Sequence, residues 1–509
     1  MFARVYGAAT LGVDGLIIGV EVDSSNGMPS FDIVGLPNAS VRESKERVRT
    51  AIRNSNMLLR AERITINLAP ADIKKDSPGL DLPIAIGLLS AQGTIPVDNT
   101  KNCLFTAELS LEGNLCGVHG VLPMVIKARE EGLTKIFVAR ENVNEALLVD
   151  DVEVYAPSNL SELMMFLNGQ DVLKPEVKVD APTEIFNDMQ DDFSDVQGQF
   201  FAKRALEIAA AGGHNVLMVG VPGSGKTMLA QRVNSILPEL TPEEALEVTK
   251  IYSIEGKLGT DGGLIKKRPF QHPNHDASAA AMIGGGSIPR PGQVTLAHHG
   301  VLFLDEFPEF HKSVLEVLRE PLEERKVTIS RVNATLTFPS SIMLICAMNP
   351  CPCGWYGDPT HECRCTPNEI RKYTRKLSGP LLDRIDIHIR VPRVDYKDLS
   401  SKRKAESSSV IRERVSKARD IQLERLREYR LFCNAQMNHA LIEKFCPMTD
   451  RAEDLLRMFY EKKHASARSY DRIKKVARTI ADLEGMDQID NIHIGEAIKL
   501  RNDFDLDIF

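Results

Sequence analysis

Short, fully apolar runs mark the strands in the middle of this chain. Val216–Val219, "GVLFLDEF" (300–307) and "SIMLICAMN" (341–349) each hold the continuous apolar stretch of a parallel strand buried on both faces. Each run ends in Gly, Asp-Glu or Asn, and ligands collect at that end of a strand in open α/β sheets. A different period appears in "KVTISRVNATLTF" (326–338) and "IDIHIRV" (385–391), where apolar and polar residues alternate as in a hairpin and a half-buried strand. Residues 1–170 interleave strand and helix patterns. There "SFDIVGLPNASVRESKERVRTAIRNS" (30–55) runs from a strand through a turn into a basic amphipathic helix, and "ITINLAP" (64–70) is the next strand. Between residues 251 and 300 glycines and prolines are too frequent for one helix, so hairpins and loops inserted beside the central sheet are expected. The fold class expected is multidomain α/β: a parallel-sheet α/β core followed by a helical region and preceded by an α+β domain.

Length adds a boundary condition. At 509 residues the chain exceeds a single core, and two to four domains are expected. Residues 171–195 hold eight acidic and two basic side chains, two prolines and no apolar period, the composition of a linker. The divisions expected are 1–170, the linker 171–195, a central α/β core 196–395 and a C-terminal helical region 396–509. Net charge is −7, yet residues 401–430 carry ten Lys/Arg against five Asp/Glu, and 461–478 carry seven against two. Basic patches therefore survive within an acidic total, as solvated helix faces or as contacts for a polyanion. No apolar run reaches the roughly 20 residues of a spanning helix, and the opening "MFARVYGAATLGVDG" lacks the apolar core of a signal peptide. Nine irregularly spaced cysteines fit a reducing compartment, and a cytoplasmic, non-membrane location is expected.

The central chemistry starts at "HNVLMVGVPGSGKTMLAQR" (214–232). A strand runs into Gly220-x-x-x-x-Gly225-Lys226-Thr227 and a helix follows, the context a phosphate-binding P-loop requires. Gly220, Val221, Pro222, Gly223, Ser224, Gly225, Lys226, Thr227 and Met228 are the expected ATP-binding run. Its backbone N–H groups and the helix N-terminus face phosphate, Lys226 reaches the β- and γ-phosphates, and Thr227 ligates Mg²⁺. Asp305 and Glu306, at the end of the second strand, supply the metal-holding carboxylate and the base that deprotonates water. A second acid in that place points to hydrolysis rather than to binding alone. Arg384, in "SGPLLDRIDIHIRV" (378–391), follows an apolar turn and is placed either to reach a neighbouring subunit's nucleotide as a finger or to pair with Asp383 or Asp386.

Four of the nine cysteines lie within fifteen residues: Cys351, Cys353, Cys363 and Cys365. Cys-x-Cys is tighter than the usual zinc spacing, but four thiols around a Gly/Pro/Asp loop furnish a closed structural Zn²⁺ site, with His361 as a spare ligand. Reduced buried thiols and a redox sensor are the other readings. In the first two, the loop braces the segment between Asn349 and Arg384.

In this order, the P-loop, "LFLDE", "MNPCPCG" and "LSGPLLDRIDIHI" resemble the ComM-type family of magnesium-chelatase-like AAA+ ATPases, along essentially the whole chain. The resemblance implies a homo-hexameric ring that hydrolyses ATP with Mg²⁺ and acts on single-stranded or branched DNA as a helicase, promoting branch migration in natural transformation. It assigns Asn349 to sensing the γ-phosphate, Arg384 to the finger and Arg468 to a second sensor, and it places Gln197 and Gly198 beside the adenine. Inserts of this clade project toward the ring's pore, which makes Lys266, Lys267, Arg268 and Arg331 the expected DNA-phosphate contacts. Residues 74–139 resemble the proteolytic domain of Lon. The position of its Ser nucleophile falls on Gly79 and that of its Lys base on Leu122, with Ser77 out of register, so no peptidase activity is expected. A metal-chelatase motor and a protein-remodelling ATPase are the alternatives to a DNA motor.

Overall fold

A computed structural model describes residues 1–75, 77–178, 192–258, 262–286, 289–331, 334–394, 405–463 and 466–502. Most of the expected linker, residues 179–191, lies outside the described residues.

The N-terminal part is a mixed sheet. Its elements are β1 (Phe2–Leu11), β2 (Asp14–Ser25), β3 (Ser30–Val34), α1 (Ala39–Asn54), β4 (Arg63–Ala69), α2 (Asp81–Ala91), β5 (Cys103–Thr106), α3 (Val121–Glu130), β6 (Lys135–Val138) and β7 (Glu153–Tyr155). The strands lie in the order β3-β4-β2-β1-β5-β6-β7, antiparallel at β1/β2 and β2/β4 and parallel elsewhere. Val41, Val48, Ala51 and Ile52 form the buried stripe of α1, whose Arg, Lys and Glu residues largely face outward. Helix α2 is buried along its whole length, which its near-continuous apolar sequence permits.

The central part is an open parallel sheet. It comprises α4 (Phe200–Gly212), β8 (Val216–Val219), α5 (Lys226–Arg232), α6 (Pro242–Ile254), β9 (Phe270–Gln271), β10 (Val301–Leu304), α7 (Arg319–Glu324), the hairpin β11 (Lys326–Arg331) and β12 (Ala334–Pro339), β13 (Met343–Met348) and β14 (Ile387–Arg390). The sheet order is β9-β10-β13-β8-β14, all parallel, and β8, β10 and β13 are buried throughout. The expected insert differs in part. Its first residues are the last turn of α6, a helix that starts earlier on a Thr241–Glu244 capping box, and among the described residues it contributes edge strand β9 and a short helix, Ala279–Ile283, besides a small ladder at Gly284–Gly285 and Arg290–Pro291. Glycines punctuate the ends of these pieces without preventing them. The hairpin β11/β12 is present, and its turn residues 332–333 lie outside the described set.

Helices α8 (Ser408–Leu426), α9 (Asp450–Lys463), α10 (Ala467–Leu483) and α11 (Asn491–Asn502) follow. They do not form a separate core. Val216 and Ile389 of the sheet share one apolar cluster with Val415, Val476, Ile480 and Leu500. No helix among the described residues is long and apolar enough to cross a membrane.

Candidate nucleotide site

The P-loop leaves the C-terminal end of β8 and closes over the start of α5. Gly223 and Gly225 take φ of +75° and +89°, a left-handed backbone that a side chain would strain. Lys226 is buried, and its Nζ donates to the carbonyls of Gly220 (2.8 Å) and Val221 (3.1 Å) and to Asn349 Oδ1 (3.2 Å). Burial pushes this ammonium below its ordinary value, against the pull of Asp305. An arriving phosphate supplies the anion that this cation lacks. Thr227 Oγ1 donates to Asp305 Oδ2 at 2.6 Å, which brings the two expected Mg²⁺ ligands together. Glu306 follows with φ +52°, uncommon for a residue with a Cβ. Its side chain is exposed, with His275 Nδ1 3.5 Å from Oε2. The residues present thus fit a magnesium nucleotide: a phosphate cradle, a buried cation, an alcohol–carboxylate pair and an exposed acid beside them.

Arg384 and Arg468 are elsewhere. Asn215, just before β8, donates from Nδ2 to the Arg384 carbonyl at 2.9 Å, so Arg384 sits at the N-terminal end of the strands. The P-loop is at the other end, and a four-residue strand separates them by about 13 Å. Arg384 is not paired with Asp383 or Asp386, as the sequence suggested. Its Nη2 is ion-paired with Glu323, which also holds Arg468 at 3.6 Å. Asp386 is engaged by Arg472 (2.6 Å) and by the backbone N–H of Asn215 (3.1 Å). Burial alone would raise its carboxyl, but Arg472 and His214 hold it well below the carboxylate range. Glu323, inside "REPLEERKV", belongs to no motif and gives no signal in the sequence. Gln197 donates to the Ser194 carbonyl at 3.4 Å. Its neighbour Gln199 ties the P-loop to the end of β14, from Nε2 to Ser224 O (3.2 Å) and Pro392 O (2.5 Å).

The four cysteines converge. Cys351 Sγ lies 3.4 Å from Cys353 Sγ and 3.7 Å from Cys363 Sγ, Cys353 and Cys363 are 3.6 Å apart, and the Cys365 sulfur falls within the same 4.8 Å group. Tetrahedral Zn–S bonds of about 2.3 Å place sulfurs about 3.8 Å apart, so the set fits zinc. Burial pushes the Cys351 thiol up to about 12; backbone N–H groups at Trp355 and Arg364 outweigh burial at Cys353 and bring it down to about 6. His361 is not among the four. It stacks on Trp355 with ring centres 4.2 Å apart. Gly354 lies against Pro222 of the P-loop, where a Cβ would come within 2.7 Å of the proline ring. The loop therefore braces the phosphate cradle itself, beside Asn349.

Of the expected DNA contacts, Lys266, Lys267 and Arg331 are exposed. Arg268 is a correction. It is 9% exposed and pairs with Glu244 (2.8 and 3.2 Å), while the Pro238, Glu239 and His299 carbonyls also accept from it, so it is a buried tie. In the N-terminal part Gly79 and Leu122 are both buried. A Cβ at Gly79 would meet Thr106 Oγ1 at 2.7 Å, and the Leu122 N–H donates to Glu145 Oε1 at 2.8 Å.

A strand–P-loop–helix, an Asp-Glu pair on the adjoining strand system and a polar residue ending β13 define a P-loop ATPase core of the AAA+ class. The family described as "Magnesium chelatase, subunit ChlI" matches residues 192–399, "Subunit ChlI of Mg-chelatase" matches 20–142, and "Magnesium chelatase, subunit ChlI C-terminal" matches 405–501. Competence protein ComM of Haemophilus influenzae is 44% identical over 503 residues, 98% of this chain and 97% of that protein. YifB of Escherichia coli is 42% identical over 500 residues, 98% and 96% of the two chains. Lon protease 2 of Bacillus subtilis is 30% identical over 166 residues, 31% of this chain and 28% of that protein. The chain belongs to the ComM-type family of magnesium-chelatase-like AAA+ ATPases.

Proposed function

We propose that this chain is a homo-hexameric ATP hydrolase that moves along single-stranded or branched DNA and drives branch migration of recombination intermediates; its Haemophilus influenzae relative is named a competence protein. The observation that carries the reading is the divided nucleotide machinery. Lys226, Thr227, Asp305, Glu306 and Asn349 meet at one end of the strands, and Arg384 and Arg468 share Glu323 at the other. Arginines so far from their own P-loop serve the P-loop of the next protomer, and a ring gives every site one such neighbour.

Bound MgATP supplies the phosphoanhydride whose cleavage drives the cycle. Residues 220–228 would hold its phosphates, and Thr227 and Asp305 its metal. Glu306 takes the proton of the attacking water, Asn349 orients that water, and Arg384 from the neighbour stabilises charge on the leaving group. Exposed Lys266, Lys267 and Arg331 contact DNA phosphates. The four cysteines hold a structural zinc. The N-terminal domain does not cleave peptides, since Gly79 has no hydroxyl and Leu122 no base.

The test is ATP turnover with and without a synthetic four-way junction, over a salt series. Stimulation by DNA that falls steeply with salt, together with ATP-dependent strand migration, is the result expected. Turnover indifferent to DNA would sink the reading and favour a chelatase-type or protein-remodelling motor.

A further inference from the structure

A cavity of about 610 Å³ opens between the N-terminal ends of the central strands and the C-terminal helices, away from the P-loop. Seven Arg or Lys side chains line it against four carboxylates. The carboxylates are spoken for. Glu244 is bound by Arg268, Asp386 by Arg472, Glu323 by Arg384 and Arg468, and Asp471 faces His439 at 3.0 Å.

Three cations remain. Among the described residues Arg325, Arg419 and Lys475 have no carboxylate within ion-pair distance. Arg325 and Lys475 both donate to the Ala435 carbonyl (3.4 and 3.1 Å), and Arg419, 7% exposed, donates to the carbonyls of Ala210 (2.6 Å) and Ala211 (3.0 Å). Burial depresses all three; Asp386 pulls Lys475 and Arg325 the other way, and Glu244 does so for Arg419, each from beyond ion-pair distance, while Arg472 and Arg325 push Lys475 further down. Arg384, also 7% exposed, leaves its Nε without an acceptor at the same wall. Uncompensated charge out of water is costly and is normally paired. Here the missing partner is an anion, and clustered guanidinium groups with an ammonium match the several oxygens of a phosphate.

We propose that this cavity binds a diffusible phosphate-bearing anion, at a site distinct from the P-loop. Tyr429, Leu431 and Phe432 line the same space and leave room for an organic group attached to the phosphate.

The probe is pyrophosphate, titrated calorimetrically into the full-length Lys226→Ala chain, whose own P-loop has lost its phosphate grip. Dilution to a concentration at which sedimentation shows monomers removes any neighbour's site. Saturable binding near one per chain is expected. Arg325→Met with Lys475→Met should weaken it at least about tenfold, as for lost charge-assisted hydrogen bonds. Gln436→Glu, which puts a carboxylate on the cavity wall, should also weaken binding and should raise the melting temperature. No saturable binding, or binding untouched by both variants, overturns the site. Binding confined to assembled, ATP-loaded rings overturns it too, because the cations would then answer to the neighbour's nucleotide.

Discussion

In the proposed cycle Lys226 serves nucleotide binding and Glu306 serves turnover. Lys226 is buried and already turned onto the loop carbonyls, so its charge is aimed where phosphate arrives. Glu306 stands exposed just after Asp305 on a left-handed backbone, with His275 as its ion-pair partner. Lys226→Ala should therefore abolish nucleotide binding measured by equilibrium titration. Glu306→Gln should bind normally and lose turnover by a factor of about 10²–10⁴, the range of a positioned general base. Parent-rate hydrolysis by Glu306→Gln would reassign the base. These residues were legible because a P-loop and its acids are local patterns, each fixed within a few positions by strand–loop–helix geometry. Arg268 and Glu323 were not. What makes Arg268 a tie and Glu323 a double partner is the approach of Glu244, Arg384 and Arg468, which lie 24, 61 and 145 residues away and leave no local pattern.

Among the elements, the three buried strands were readable from apolar runs alone, since a parallel strand covered on both faces admits little else. The insert between α6 and β10 was less so. Its glycines signal breaks but not what stands between them, and β9 is a strand only because the edge of β10 is free to receive it. The cysteine loop lies between these cases: its four closely spaced thiols are plain in the sequence, but its contact with Pro222 is a packing fact. That contact makes a prediction. If four thiolates hold zinc, the purified chain contains about one metal per protomer, and Cys351→Ser loses it because a closed site needs all four ligands. With the brace gone, Pro222 and Asn349 are released together, so ATP affinity should weaken as well as turnover. Metal analysis and nucleotide titration on the same sample check both halves. A zinc-free parent, or a Cys351→Ser chain that keeps its metal, contradicts the closed site.

At the scale of the molecule, two junctions decide whether the parts act together. The first joins the N-terminal sheet to the central P-loop core. The Gly120 N–H donates to the Ser253 carbonyl at 3.0 Å, and the Ser253 hydroxyl binds Glu145, itself buried under the start of α3. Burial raises the Glu145 carboxyl above its ordinary 4.5, only partly offset by these hydrogen bonds. The folded chain therefore holds this proton more tightly than the unfolded chain. Its contribution is fully present below the ordinary carboxyl range and is lost as pH rises through the folded value. Glu145→Gln should then gain melting temperature relative to the parent as pH goes from 4 to 8, and a pH-independent difference would mean that the carboxyl ionises freely. The second junction is the one proposed between copies of the chain. Arg384→Ala should cut turnover by about 10³-fold or more, yet its own P-loop is intact. Lys226→Ala is dead for the opposite reason, with its arginine intact. In a head-to-tail ring, equal mixing of the two dead chains pairs an intact P-loop with an intact arginine at about a quarter of the interfaces. Activity should return in the mixture to that order. If the arginine instead served its own chain, mixing would recover nothing, because no single chain in the mixture carries both groups.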